Sequence, residues 1–223
     1  MRSDNDIQRD ITQEFKWEPR LKDDDIAVGV RDGVVTLAAF TRSYADKWTA
    51  ERVASRVKGV KAIANDIEVK LPSIWERSDP DIARAALSAV KWHTSVPEDR
   101  IQVKVEHGWV RLEGEADWFY QKEAAEKAVR VLTGVKGVSN LIMVKARPTP
   151  SDVKESIRKA LQRGAEFDAD RITVQIDGHK AILRGTARAF AEKRDAERAA
   201  RNAPGVTEVE NQLTIDPYVF AAV

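Results

Sequence analysis

The chain has 223 residues, 33% of them charged, yet 37 basic against 36 acidic side chains leave a formal net charge of only +1. The balance holds locally, with 13 basic and 13 acidic residues in 1–72, 12 and 11 in 73–148, and 12 and 12 in 149–223, which disfavours a general nucleic-acid binder and strong electrostatic attachment to anionic membranes. The absence of cysteine excludes disulfides, Cys-ligated zinc and thiol catalysis.

The N-terminus, Met1 to Asp10, has no apolar run, and no stretch approaches the roughly 18 apolar residues of a membrane span. The expectation is a cytoplasmic chain if Met1 is the natural start, and a periplasmic one if a leader has been removed. Ile7, Ile11 and Phe15 recur at helical spacing and predict an amphipathic first helix. Trp17, at its end, reads as a cap on the core. Ile26, Val28 and Val30 alternate as a half-buried strand does. Asp32-Gly33 supplies a tight hairpin turn, and Val35 and Leu37 are the buried positions of the partner strand. A second helix starts near Tyr44, carries Ala50-Glu51-Arg52, and reads as ending at Gly59, where glycine suits a C-terminal cap. Lys47 precedes Glu51 by one helical turn, within pairing reach. A last strand points Ile63, Asn65, Ile67 and Val69 inward.

The same succession then returns twice. Ile26-Ala-Val-Gly-Val30 reappears as Ile101-Gln-Val-Lys-Val105, 75 residues on, and as Ile172-Thr-Val-Gln-Ile176, a further 71 residues on. Upstream, Ile82/Ala86/Val90 and Val153/Ile157/Leu161 repeat the helix stripe. Ser78-Asp-Pro-Asp and Pro150-Ser-Asp supply helix starts, and Trp92 matches Trp17. Glu106-His-Gly108 and Asp177-Gly178 supply the turns, before Val110/Leu112 and Ala181/Leu183. The second helices start near Phe119 and Phe190, carry Lys122 with Glu126 and Lys193 with Glu197, and lead to Gly134 and Gly205. The last strands hold Asn140 and Asn211. Short linkers run from Pro72 to Pro80 and from Arg147 to Pro150. The predicted fold is therefore α+β, with three tandem α-β-β-α-β modules at 1–72, 73–147 and 148–217 and an apolar tail at 218–223. Each module should be a three-stranded mixed sheet with two helices on one face and the other face open.

This order resembles the BON domain family (bacterial OsmY and nodulation). The matching residues at the hairpin are Asp32-Gly33-Val-Val-Thr-Leu37, Val110-Arg-Leu-Glu-Gly114 and Ile182-Leu-Arg-Gly185. Before the last strand they are Gly59-Val60 to Asn65, Gly134-Val135 to Asn140 and Gly205-Val206 to Asn211. Ala39 replaces the hairpin glycine in the first copy, and the Asp-Gly of the third sits one position early. The resemblance implies a non-enzymatic module that binds phospholipid or supports envelope integrity and stress tolerance. The family-implied partner is a phospholipid or membrane surface, with no cofactor.

Against that background each reactive-looking group has a plain reading. Asn65, Asn140 and Asn211 tie down backbone of the neighbouring loop, or contact a ligand. His93, His107 and His179 occupy different repeat positions without metal-ligand spacing. Glu113, Glu115 and Asp117 alternate as an exposed acidic edge, with no nucleophile or phosphate loop to make acid–base work of them. The open face of the middle module differs from its siblings. Trp109, Arg111, Leu141 and Met143 should lie on it, where the first repeat has Thr36, Asp66 and Glu68 and the third has Lys180, Glu210 and Gln212. An apolar face of that kind marks a contact surface for a neighbouring repeat, another subunit or a lipid. Trp118 and Tyr120, beside Phe119, are candidate surface anchors. Arg188, Arg194 and Arg198, with Lys193 and Arg201, interleave with Glu192, Asp195 and Glu197 as a salt-bridged helix or an anionic-lipid contact. The expected function is a non-catalytic, stress- or envelope-related adaptor that binds phospholipid. The alternative is a structural homo-oligomer assembled through the open face of the second module, with no lipid role.

Overall fold

The computed structural model describes residues 2–21, 25–93, 96–145, 153–163 and 171–216. The expectations for the Leu161 side chain, the linker at 147–150 and the tail at 218–223 lie outside the described residues.

Each third of the chain folds as α-β-β-α-β. The first helices are α1 (Asp4–Trp17), α3 (Asp79–Trp92) and α5 (Val153–Arg163). Ser3 and Ser78 cap the first two, accepting hydrogen bonds from the N–H of Asp6 and Asp81. The acid that begins each of these helices also reaches the hairpin of its own module. Asp4 accepts from the N–H groups of Asp32 and Gly33 at 2.7 and 3.0 Å, and Asp79 from those of His107 and Gly108 at 2.7 and 2.8 Å. The sequence reading placed Asp79 only at the positive end of a helix; both acids fasten helix to turn.

Strands β1 (Ala27–Arg31) and β2 (Val34–Ala38) form the first hairpin, with β3 (Phe40–Thr41) following. Helix α2 (Tyr44–Ala54) then crosses to β4 (Ala62–Asn65) and β5 (Glu68–Val69). The second module has β6 (Ile101–Glu106), β7 (Trp109–Ala116), α4 (Phe119–Val129), β8 (Gly137–Asn140) and β9 (Met143–Val144). The third has β10 (Ile172–Asp177), β11 (Lys180–Ala187), α6 (Phe190–Arg201) and β12 (Glu208–Ile215). The main sheet of each module pairs its hairpin antiparallel and its last strand parallel to the middle one, so the expected mixed sheet is present. Val35, Leu37, Val110, Leu112, Ala181 and Leu183 are all fully buried. In the second module they meet Ile82, Ala86 and Val90 of α3 and Ala125 and Val129 of α4 in one core, which puts both helices on the same face.

Asp32 and His107 adopt φ of +53° and +51°, each before a glycine at about +80°, the backbone of a type I′ turn. In the third module the turn residues are Gly178 and His179, because Asp177 already pairs with Lys180. The position after the hairpin separates the copies further. Gly114 and Gly185 take φ of +120° and +127°, and a Cβ there would lie 2.0 and 1.8 Å from the carbonyl oxygens of Arg100 and Arg171. With glycine, β7 and β11 run through this point. With Ala39 that backbone is closed, and the strand stops at Ala38 and resumes at Phe40.

Three expectations need correction. Trp17 and Trp92 are 82% and 84% exposed; each follows the last buried residue of its helix, Phe15 or Val90, by two positions, which turns it about 200° away from the core. The second helices end at Ala54, Val129 and Arg201, before the glycines. Gly59 and Gly134 instead leave room for Ile7 and Ile82, whose side chains a Cβ would meet at 2.8 and 3.0 Å. Finally, two of the repeated lysines turn to backbone rather than to the glutamates: Lys47 donates to Ile67 O and Lys193 to Leu213 O, both at 2.7 Å.

The chain forms two compact units. One contains Met1–Ala39, Thr49–Asp66 and Ala146–Val223, and thus joins parts of modules 1 and 3. The other contains Phe40–Trp48 and Ile67–Lys145. In it Tyr44 packs on the core of module 2, and the Arg130 guanidinium stacks 3.6 Å from the Trp48 ring centroid.

Candidate functional site

The repeated polar residues hold the fold together. Asn140 Nδ2 donates to Lys122 O at 2.8 Å and to Glu126 Oε2 at 3.2 Å, while its Oδ1 accepts from Ile142 N–H at 3.3 Å. Asn211 does the same with Lys193 O, Glu197 Oε2 and Leu213 N–H at 2.8, 3.4 and 3.2 Å. Asn65 donates to Glu51 Oε2 at 3.0 Å. One amide thus ties the second helix to the last strand, as the backbone-tying reading expected. The three glutamates, which that reading had not joined to the asparagines, complete the clamp.

The acidic edge of module 2 is matched by cations. Glu113 meets Lys104 at 2.5 Å and Arg111 at 3.8 Å, Glu115 meets Lys145 at 3.0 Å, and Asp117 meets Arg100 at 3.2 Å. The hydrogen bond from Lys104 holds the Glu113 carboxyl below the usual carboxylate range, so it is no proton donor near neutrality. His179 Nδ1 lies 2.9 Å from Gly205 O. Among the described residues no three His, Asp or Glu side chains gather to hold a metal ion. A polar depression near Arg2, Asp10, Glu14, Arg56 and Lys58 has Arg2 and Asp10 paired across it.

On the open face of module 2, Trp109 is 50% exposed, Leu141 54% and Met143 66%. Trp109 is not brought together with Met143. Trp109 stands opposite Gly137 at one end of the sheet, and Met143 opposite Glu115 at the other. Trp109 and Glu115 are six residues apart on β7, about 20 Å of strand, and Arg111 and Glu113 occupy the interval. The indole lies flat on Gly137, where a Cβ would come within 2.5 Å of the ring, and its Nε1 donates to Ser139 Oγ at 2.8 Å. Trp109 is therefore a fixed aromatic plate with one free side. Trp118 is half-buried at the start of α4, and Tyr120 is exposed.

Arg188, just before α6, and the arginines Arg194, Arg198 and Arg201 of α6 are ion-paired. Arg188 meets Glu192 at 3.5 Å, Arg198 meets Asp195 at 2.7 Å, and Arg201 meets Glu197 at 2.6 Å. Arg194 reaches Glu51 of α2 at 3.7 Å.

A surface absent from the sequence expectations lies on α3. Leu87 is 52% exposed and Trp92 84%, with Arg84, Ser88 and Lys91 exposed beside them. Leu87 follows Ala86 of the buried stripe by one position, so helical periodicity already placed it off the core. Trp17 with Lys16 repeats the end of this arrangement on α1. No helix among the described residues is long and apolar enough to cross a membrane.

Comparison with known proteins matches the BON domain model at residues 3–70, 78–146 and 150–217. Osmotically-inducible protein Y of Escherichia coli (strain K12) is 31% identical over 131 residues, which is 56% of this chain and 64% of that protein; the match thus spans less than two thirds of the relative's length. Two solved structures of CdsD, a structural protein of the type III secretion system of Chlamydia trachomatis, align over 95% of the chain and 98% and 92% of their own lengths. At 14% identity and a TM-score of 0.27 they carry no argument.

Proposed function

This chain belongs to the BON domain family, and on that premise we propose a non-catalytic binding protein that attaches to phospholipid surfaces in a stress- or envelope-related role. Its working parts are modules 1–72, 73–147 and 148–217, with the 218–223 tail as an accessory apolar segment. The observation that carries the reading is the outward placement of Trp17 and Trp92, 82% and 84% exposed, each directly after a lysine at a helix end. An indole favours the depth where acyl chain meets headgroup, and an adjacent ammonium reaches the phosphate. Attachment then rests on insertion, which suits a chain of net charge +1. The likeness to a protein named for osmotic induction supports the stress role. Flotation with phosphatidylcholine vesicles, with and without phosphatidylglycerol, tests the reading at low salt. Co-flotation is expected; a chain left at the bottom with both vesicles overturns it.

A second reading has its own observation. Trp109, fixed on Gly137 with one free side, is a ready contact for a second copy of the chain. Light scattering distinguishes it: an oligomer that falls to monomer in Trp109→Glu supports self-association, and a monomer in both removes it.

A further inference from the structure

We infer that helix α2 of module 1 is the docking platform for module 3, and that serine at position 55 is what makes it one. The inference is independent of any lipid role. It starts from Glu51, Glu126 and Glu197, which occupy one repeat position. Each gives its Oε2 to the asparagine of its own module. In module 3 the other oxygen is also used at home: Glu197 Oε1 accepts from Arg201 Nη2 at 2.6 Å and from its Nε at 3.0 Å, one turn along the same helix.

Module 1 has Ser55 where module 3 has Arg201 and module 2 has Arg130. Ser55 is fully buried, while both arginines stay partly exposed. Its hydroxyl turns back to Arg52 O at 2.7 Å and does not extend to Glu51. Glu51 Oε1 instead pairs with Arg194 of α6 at 3.7 Å. With no guanidinium in the way, the start of α6 closes on the end of α2, and Ala191 N–H donates to Ser55 O at 2.8 Å. This bond joins two groups that a helix cannot satisfy internally, a last-turn carbonyl and a first-turn amide. It also sets the helix dipoles head to tail. The ion pair is about 40% exposed on each side and adds little by itself. The close approach at Ser55 is the main link, and it binds modules separated in sequence by all of module 2.

Two modules docked in this way open together. Hydrogen exchange of the full chain, followed by mass spectrometry through low denaturant concentrations, reads this from peptides of β2 and β11. In the wild type both should lose protection in one transition. Ser55→Arg gives module 1 the residue its siblings carry, so the module keeps its own fold. The new guanidinium recaptures Glu51 and holds α6 off. The Ala191 amide should then exchange about fivefold faster, the equivalent of one net hydrogen bond, and the two transitions should separate. Ala191→Pro deletes only the donor, at a first-turn position where proline is tolerated, and should also separate them. Separate transitions in the wild type overturn the inference. So does a single transition in Ser55→Arg with unchanged Ala191 exchange. If Ser55→Arg unfolds module 1, a single transition retained in Ala191→Pro overturns it.

Discussion

Replacing Trp92 by alanine separates a surface anchor from a structural cap. At 84% exposure Trp92 keeps only about a sixth of its surface in contact with the protein. For a side chain of about 250 Å² that is about 40 Å², or about 1 kcal/mol of burial. Alanine returns about half of this through its better helix propensity. The net loss of folding stability should therefore stay near 0.5 kcal/mol, whereas a tryptophan closing a core would cost about 3–5 kcal/mol. Membrane attachment should respond in the opposite proportion. Burying as little as about 60 Å² of the free indole in a bilayer interface is worth about 1.5 kcal/mol, so each lost tryptophan should weaken vesicle binding at least tenfold. Guanidinium denaturation and vesicle partitioning, measured on Trp92→Ala, Trp17→Ala and the double variant, supply both numbers. A large drop in the unfolding midpoint, or vesicle affinity that survives in the double variant, would refute the reasoning.

Three further changes probe the frame that carries these surfaces. Gly114→Ala forces a Cβ to within 2.0 Å of Arg100 O at φ +120°; strain of about 1–3 kcal/mol should break β7 there, as β2 stops before Ala39, and faster amide exchange at Ala116 and Lys145 would report it. Asn140→Asp keeps the acceptor for Ile142 N–H but sets a carboxylate against Glu126, 3.2 Å away in the wild type; stability should fall by about 2–4 kcal/mol at pH 7 and partly recover as the pair protonates, so a deficit constant across thermal melts at different pH speaks against it. Asp79 has its pKa lowered by the N–H groups of Gly108 and His107. Its folded value lies below the unfolded one, so its contribution is present above about pH 4 and lost as pH falls through the folded value. Asp79→Ala should thus melt below the wild type at pH 7, with the gap narrowing as pH falls below about 4, and a gap that stays constant with pH would count against the turn-fastening role.

Much of this frame was legible because burial imposes a period. Val35/Leu37 and their counterparts follow the pleat, Ile82/Ala86/Val90 follow the helix, and three copies in register removed the ambiguity of each short run. Features that depend on long-range register were not legible. Parity along a strand places Trp109, Leu141 and Met143 on one face, but only the pairing of β7 with β8 and β9 shows Trp109 and Met143 at opposite ends with charges between. Nor does a local pattern announce that Asp4 and Asp79 reach hairpins 28 and 29 residues away. The placement of Trp17 and Trp92 was within reach. Counting two positions past Phe15 and Val90 takes the side chain off the buried stripe; aromatic character suggested a core, and helical angle contradicts it.

Departures from the repeat become interpretable once the structure says what each position does. Ala39 against Gly114 and Gly185 is a change of one methyl group, and it decides whether a strand continues, because the backbone there is closed to any Cβ. Ser55 against Arg201 removes a charge, and Glu51 pairs with a neighbouring module where Glu197 pairs within its own helix. Neither difference touches the buried positions common to the three copies. Cores built on one pattern give the modules one fold, so selective contact, between modules or with a bilayer, has to come from the few exposed or helix-end positions where the copies disagree. Lys91-Trp92 and Lys16-Trp17 mark the same logic at the first helices. They are shared by modules 1 and 2, and no Lys-Trp pair occurs anywhere in module 3. The membrane contact proposed above therefore belongs to the first two modules, and module 3 contributes through its hold on α2.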